Sequence, residues 1–224
     1  TKIITGEDLM ETAQHGSTLY PFQFYYEDLS VFDFNCIEWH WHTELEFIYI
    51  ESGTVTLWIG EDQFHLTEGN GIFINTKVLH RLYSPSKALI PNFVFMPSFI
   101  APCDSLIYQK YILPIISSSL PFLVFHKKVC WQAKVLSIMR QIISAQDSVL
   151  SKELLTSSLL QNLWLEIFEN TDISYQEEHK DHSTASQARL QLMMQFIHLN
   201  YSRNISLDDI AEQAMVSKST ALNL

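Results

Sequence analysis

The first 75 residues are cut into short runs of aromatic and β-branched side chains separated by glycines, and this pattern narrows the fold more than any other feature. Residues 22–26, 44–50, 55–59, 63–66 and 71–75 are such runs, and Gly53, Gly60, Gly69 and Gly71 punctuate them. Each is short and rich in residues that suit a pleated sheet. Gly60-Glu61-Asp62, between two alternating runs, is a hairpin signal. Short strands with regular turn signals predict an all-β barrel or sandwich.

After Pro97 the period changes. Residues 104–112 read as a short helix ended by Pro114. From 128 to 144, Val135, Ile138, Met139 and Ile142 recur at helical spacing, and from 151 to 168 Leu155, Leu159, Leu163 and Ile167 follow at i, i+4 steps with Leu160 and Trp164 alongside. The short connection between them predicts an antiparallel pair. Its apolar stripes have two outlets, the chain's own barrel or a second copy of the chain. Residues 171–186 are polar, charged and poor in large aliphatics, the composition of a linker.

Hydrophobic residues make up 47% of the 224, enough for a sizeable core. Cys36, Cys103 and Cys130 form neither an even disulfide framework nor a paired metal-knuckle spacing, so three buried thiols in a reducing compartment are expected. The first residues lack the basic start and apolar run of a secretory signal, and no apolar stretch is long enough to span a bilayer, so a cytoplasmic protein with no membrane partner is expected. The chain starts without methionine and stops at Leu224 inside a helix-like run, the look of a piece of something longer. A net charge of -11 argues against nucleic-acid binding by the chain as a whole. From Gln187 onward, however, Arg189, Arg203 and Lys218 balance Asp208, Asp209 and Glu212, so the acidic excess lies upstream.

The densest chemistry lies in Glu38-Trp-His-Trp-His-Thr-Glu-Leu-Glu46. His40, His42, Glu44 and Glu46 share parity, so an extended strand would project them from one face, with Trp39 and Trp41 on the other. His40, His42 and Glu46 have the spacing H-x-H-x3-E with Gly53 beyond, which matches the first motif of the cupin barrels in full. His80 stands where the second motif would supply a third imidazole, although Asn75 and Lys77 replace that motif's proline and glycine. Imidazoles with one carboxylate make a good site for Zn, Fe, Mn or Ni. Three readings stay open: a divalent transition metal on His40, His42, Glu46 and His80; a pocket in which these residues and Glu44 hydrogen-bond a small ligand without metal; or barrel-mouth histidines with no ligand. No nucleophile–base arrangement and no glycine-rich phosphate loop occurs, so no catalytic residue is assigned and no cofactor is required. An enzyme reading rests on the metal site alone.

Near the end, residues 188–200 form an amphipathic helical pattern through Leu192, Met193, Phe196, Ile197 and Leu199. Ser206 then precedes Leu-Asp-Asp-Ile-Ala211, with Asp209 three residues on, a capping-box pattern. Met215-Val216 makes a turn, and Ser217 caps a last helix beginning at Lys218. Helix, short turn and capped helix predict a helix-turn-helix, in which Lys218, Ser219 and Asn223 would face the major groove.

Taken together, these residues resemble the AraC/XylS family of transcription regulators. Ile205-Ser-Leu-Asp-Asp-Ile-Ala211 with Met215 to Leu224 looks like the first of that family's two helix-turn-helix units. His15-Gly16, Pro21-Phe22, the His40 to Glu46 run with Gly53, and Tyr111-Ile-Leu-Pro114 look like its sensor domain. The expected fold class is α+β: a cupin-type barrel, or double-stranded β-helix, over 1–100, a helical region over 101–170 serving dimerisation, a linker over 171–186, and a helix-turn-helix module over 187–224. The resemblance implies a ligand-responsive regulator, a homodimer whose partners are double-stranded DNA and a small-molecule effector, often a sugar in this family. Leu222 and Asn223 depart from the polar residue and arginine common there. The competing expectation is a metal-dependent cupin enzyme of the dioxygenase, isomerase or epimerase class.

Overall fold

Period-2 patterning buries both faces of one sheet, and this places everything else. The computed structural model describes residues 2–6, 8–60, 62–171 and 203–222, with positions 189, 190, 193, 196, 197 and 200. Nine strands are described: β1 (Phe22–Asp28), β2 (Cys36–His40), β3 (Leu45–Tyr49), β4 (Thr54–Ile59), β5 (Asp62–Thr67), β6 (Gly71–Ile74), β7 (His80–Tyr83), β8 (Leu89–Phe95) and β9 (Phe122–Phe125). They form a five-stranded sheet ordered β1-β8-β3-β6-β9 and a four-stranded sheet ordered β2-β7-β4-β5. Every pairing is antiparallel.

On the five-stranded sheet, Phe22, Leu45, Phe47, Phe73, Phe93, Phe95 and Phe125 point to one side and join one hydrophobic cluster. The alternate residues Ile48, Ile72, Ile74 and Ile90 join a second cluster with Val55, Leu57, Ile59 and Leu66 of the other sheet. A strand buried on both faces has no polar alternation to display, which is why β3 reads as Leu-Glu-Phe-Ile-Tyr with Glu46 its one carboxylate. Phe47 stacks on Phe93 at 5.3 Å between ring centroids and on Phe95 at 6.0 Å. Fully burying each such ring contributes about 2–3 kcal/mol.

The first cluster is completed by helices. In α2 (Cys130–Ala145), Val135, Leu136, Ile138, Met139 and Ile142 are buried; in α3 (Lys152–Asn170), Leu159, Leu160, Leu163, Trp164 and Ile167 are. Lys134 near the start of α2 pairs with Glu166 near the end of α3, so the helices run antiparallel as the sequence predicts. Their main apolar stripes cover the chain's own sheet, the first of the two outlets. Gly71 makes that approach feasible, because a Cβ there would stand 2.9 Å from Leu136 Cδ2 and 3.1 Å from Ile48 O.

Three sequence expectations change, and one strand was not read from the sequence. The barrel does not end at residue 100, because β9 pairs with β6 from Gly71↔Phe125 to Ile74↔Phe122 and closes the five-stranded sheet. Pro114 does not end a helix; it lies in the first turn of α1 (Leu113–Ile116), behind a widened π turn (Tyr108–Ile112) in which Leu113 N–H reaches Tyr108 O. Strand β8, not among the runs read from the sequence, pairs with β1 and β3; its Pro91 lies one residue past the last β3 pair, Asn92↔Ile48, where no β3 hydrogen bond is lost. Of the three free thiols only Cys36 is buried, while Cys103 and Cys130 are exposed.

The C-terminal helices are α4 (Leu207–Gln213) and α5 (Lys218–Leu222). The capping box forms as read: Asp209 N–H donates to Ser206 Oγ at 3.2 Å and Ser206 N–H donates to Asp209 Oδ2 at 2.7 Å. Thr220 N–H donates to Ser217 Oγ at 3.1 Å. Ala211 and Ala214 are buried, and Met215 takes a left-handed φ of 50° at the turn between the helices. The linker at 171–186 lies outside the described residues apart from Thr171, as do Leu192 and Leu199. No described helix is long and apolar enough to cross a membrane.

Candidate ligand and metal site

Between the two sheets lies a cavity of about 340 Å³. His40 ends β2, His42 follows it, Glu46 is the second residue of β3 and His80 opens β7, whose pairing with β2 sets His40 opposite His80. All four side chains are buried, and one ligand atom from each lies within 4.8 Å of the others. Glu46 Oε2 is 3.2 Å from His42 Nε2 and 3.1 Å from His80 Nε2.

The three rings are held alike. His40 Nδ1 is 2.8 Å from Glu38 O, His80 Nδ1 is 2.8 Å from Val78 O, and His42 Nδ1 is 3.2 Å from Glu44 O. A carbonyl accepts only, so each Nδ1 carries a proton; Nε2 of neutral His40 and His80 then holds a lone pair, whereas His42 Nε2 donates to the Glu46 carboxylate and would surrender that proton to a bound metal. His80 Nε2 has no hydrogen-bond partner despite its closeness to Glu46 Oε2, because the contact is out of line. The unpartnered buried Nε2 of His80, beside two further imidazoles and a carboxylate, fits a divalent transition ion, and backbone anchoring of the far nitrogen is how metal-bound histidines are oriented. Ligands about 2.1 Å from a common ion sit about 3.4 Å apart in a tetrahedron and at most about 4.2 Å apart across an octahedron. Both Glu46 contacts fall near those values, and the widest separation closes with small side-chain shifts.

Charge is arranged to match. Burial drives the His40 pKa well below the usual imidazole range, with neighbouring His80 adding to it. At His42 burial pulls down, but the hydrogen bond and charge of Glu46 outweigh it and the pKa rises. Burial works against ionising Glu46, yet His42 and His80 hold its carboxyl well below the usual range.

Glu44, the fifth residue singled out in the sequence, stays outside. Its carboxylate lies 3.8 Å from His42 Nδ1, the edge of the ring turned from the cluster, and it does not line the cavity. The shared parity fails because the chain leaves β2 at His40 and enters β3 only at Leu45. Trp41, on the other parity, holds the N-terminal segment: its indole N–H donates to Asp8 O at 2.8 Å, and Glu11 N–H donates to Trp41 O at 2.9 Å. That segment brings Glu11 to the cavity.

Sequence reasoning missed a second polar group in the same cavity, formed by His15, Tyr25, Glu27 and Asn92. His15 Nδ1 is 2.9 Å from Tyr25 Oη, and Asn92 Nδ2 donates to Glu27 Oε2 at 2.8 Å. Burial lifts the Glu27 pKa to about 7 and that of Tyr25 to about 12. The signal was present: Gln23, Tyr25 and Glu27 alternate with Phe22 and Phe24 on β1, and Asn92 interrupts an apolar run.

Of the three residues expected to meet DNA, Lys218 and Ser219 begin α5, and Asn223 lies outside the described residues. Lys218 Nζ is 2.7 Å from Asp208 Oδ2, an exposed pair.

The model of the AraC-like ligand-binding domain family matches residues 23–164. A curated relative, an uncharacterized HTH-type transcriptional regulator of Bacillus subtilis (strain 168), YdeC, is 25% identical over 221 residues, 96% of this chain and 74% of that protein. Among solved structures, ToxT from Vibrio cholerae O395 aligns over 91% of this chain and 73% of its own at 11% identity and a TM-score of 0.47. A cupin-2 domain containing protein from Shewanella frigidimarina NCIMB 400 aligns over 36% of this chain and 81% of its own at 20% identity and a TM-score of 0.30.

Proposed function

The chain belongs to the AraC-like ligand-binding domain family, and from that premise we propose that it is a ligand-responsive, sequence-specific DNA-binding transcription regulator acting in the cytoplasm, whose barrel senses a small hydroxylated metabolite of the sugar class. One observation carries the reading. A cavity of about 340 Å³ inside the barrel, apolar for the most part but lined also by His15, Glu27, His40, His42, Glu46 and Asn92, belongs to the same chain as a doubly capped helix pair. Ligand bound between the sheets changes the relative stability of barrel states, and the helices transmit that preference to the DNA module. Lys218, Ser219 and Asn223 supply contacts in the major groove, with Lys218 exchanging Asp208 for phosphate or guanine. The exposed Leu154, Leu155 and Leu165 of α3 are the apolar residues that a homodimer would cover.

His40, His42, Glu46 and His80 are the residues that would hold a divalent transition metal. When bound, the ion supplies a Lewis-acidic anchor for an oxygen of the ligand. The same cluster favours a second reading, a metal-dependent cupin enzyme, which leaves the capped C-terminal module without a use. Elemental analysis separates them: protein without stoichiometric transition metal removes the enzyme.

The regulator is tested by selecting DNA from a random double-stranded library and measuring fluorescence anisotropy at two salt concentrations. Selected DNA should bind more tightly than scrambled DNA, with affinity falling as salt rises. Equal affinity for both would refute sequence-specific regulation.

A further inference from the structure

We propose that Glu27 anchors a cationic amino group, so that the cavity takes a small amino alcohol or amino sugar and rejects carboxylates and phosphates. The proposal rests on reading the barrel as a ligand site.

Among the described residues three carboxyl groups line the cavity, Glu11, Glu27 and Glu46, and Lys2 is the one lysine or arginine lining it. Two of the three already have imidazole partners. Glu46 meets His42 and His80, and Glu11 Oε2 lies 3.3 Å from His15 Nε2. Glu27 differs: its carboxylate accepts from the Asn92 amide, and no described lysine, arginine or histidine forms an ion pair with it. Strand register fixes it in place, with Glu27 opposite Ile90 and Tyr25 opposite Asn92. Buried carboxylates are ordinarily paired with a cation, because charge removed from water must be compensated. Glu27 is half-buried, no described cation forms an ion pair with it although His15 acts on it through charge, and it lines the open volume of the cavity. The rise of the Glu27 pKa to about 7 through burial expresses the same deficit.

A second group points to a ligand independently. His15 is only 6% exposed, lines the cavity, and its Nε2 has no hydrogen-bond partner, since the Glu11 contact is out of line. With Tyr25 donating to Nδ1, Nε2 carries a proton whose near acceptor, Glu11 Oε2 at 3.3 Å, is out of line, a donor suited to a ligand hydroxyl oxygen. An ammonium for Glu27 and a hydroxyl for His15 describe an amino alcohol. A ligand carboxylate would instead meet Glu27 and Glu46 as like charges in a water-poor space.

The test is isothermal titration of the whole chain with two matched sets: glucosamine, glucose and glucuronate; ethanolamine, ethylene glycol and glycolate. In the unmodified protein at least one amine should bind at least tenfold more tightly than its neutral partner, with its carboxylate partner undetected. Glu27→Gln, which keeps the shape and the acceptor for Asn92, should erase the amine preference. A neutral or acidic member binding as tightly as the amine overturns the assignment of Glu27 while leaving the ligand site intact. So does an amine preference that survives in folded Glu27→Gln. Binding by no member of either set overturns this proposal and counts against the ligand site as well.

Discussion

At His40, His42 and His80 one local device recurs: ring Nδ1 tied to a backbone carbonyl two residues away. It fixes the tautomer and aims Nε2 without help from a ligand. His80→Gln removes one of the aimed nitrogens while filling most of the space. Zinc affinity measured by chelator competition should fall tenfold or more, and unchanged affinity would take His80 out of the metal set. Glu27 gives a prediction in pH. Its carboxyl ionises near 4.5 in the unfolded chain and near 7 in the fold, a raised value. Its contribution to stability is therefore fully present below about 4.5 and is lost as pH rises through about 7. Glu27→Gln should be more stable than the parent at about pH 8, by up to about 3 kcal/mol since each unit is about 1.4 kcal/mol, and nearly equal to it near pH 4. Urea denaturation at the two pH values checks both; no gain at the higher one refutes the buried-carboxyl account.

At the scale of elements, contact between β6 and α2 depends on the missing side chain of Gly71. A methyl group there meets the tip of Leu136 and the carbonyl of Ile48, and the backbone atom cannot give way. Gly71→Ala should cost about 1–3 kcal/mol, seen as a lower melting temperature; an unchanged melting temperature would mean that the helix pair shifts freely over the sheet. In α4, loss of the Ser206 cap frees one backbone N–H and one partner of the box. Ser206→Ala should cost about 1 kcal/mol, read as faster hydrogen exchange across Leu207–Gln213 with exchange in the barrel strands unchanged.

At the scale of the whole molecule, the hydrophobic cluster on the outer face of the five-stranded sheet is shared by strands and helices. Trp164 is its key: the ring meets Phe73 edge-on at 5.9 Å, and the indole N–H donates to Tyr111 O at 2.9 Å. Barrel and helix pair should therefore unfold together, with far-ultraviolet dichroism and tryptophan fluorescence giving coincident transitions in urea. Trp164→Ala should cost about 3–5 kcal/mol. Two separated transitions in the unmodified chain would show that the helices form an independent unit.

Much of this was legible in the residues alone. Glycine-punctuated runs announced β3 to β6, the helical spacing of Val135, Ile138, Met139 and Ile142 announced α2, the i, i+4 leucines announced α3, and Ser206 with Asp209 announced the capping box, because each signal is local and is set by backbone geometry within a few residues. The spacing of His40, His42 and Glu46 marked three of the four residues that the fold brings together, and His80, at the place of the second motif, is the fourth. What lay beyond sequence was whatever depends on pairing across long separations. The barrel gained its last strand from Phe122–Phe125 because the edge of β6 needed a partner, and neither the period nor the composition of four residues could say which edge they would join. Glu44 shared the parity of the cluster and was excluded by a break in the strand, while Glu27 and Asn92, 65 residues apart, were joined by the β1–β8 register. Local chemistry determined which residues could serve a site; the tertiary pairing decided which of them share one cavity, since only the fold sets the distances over which charge and hydrogen bonds act.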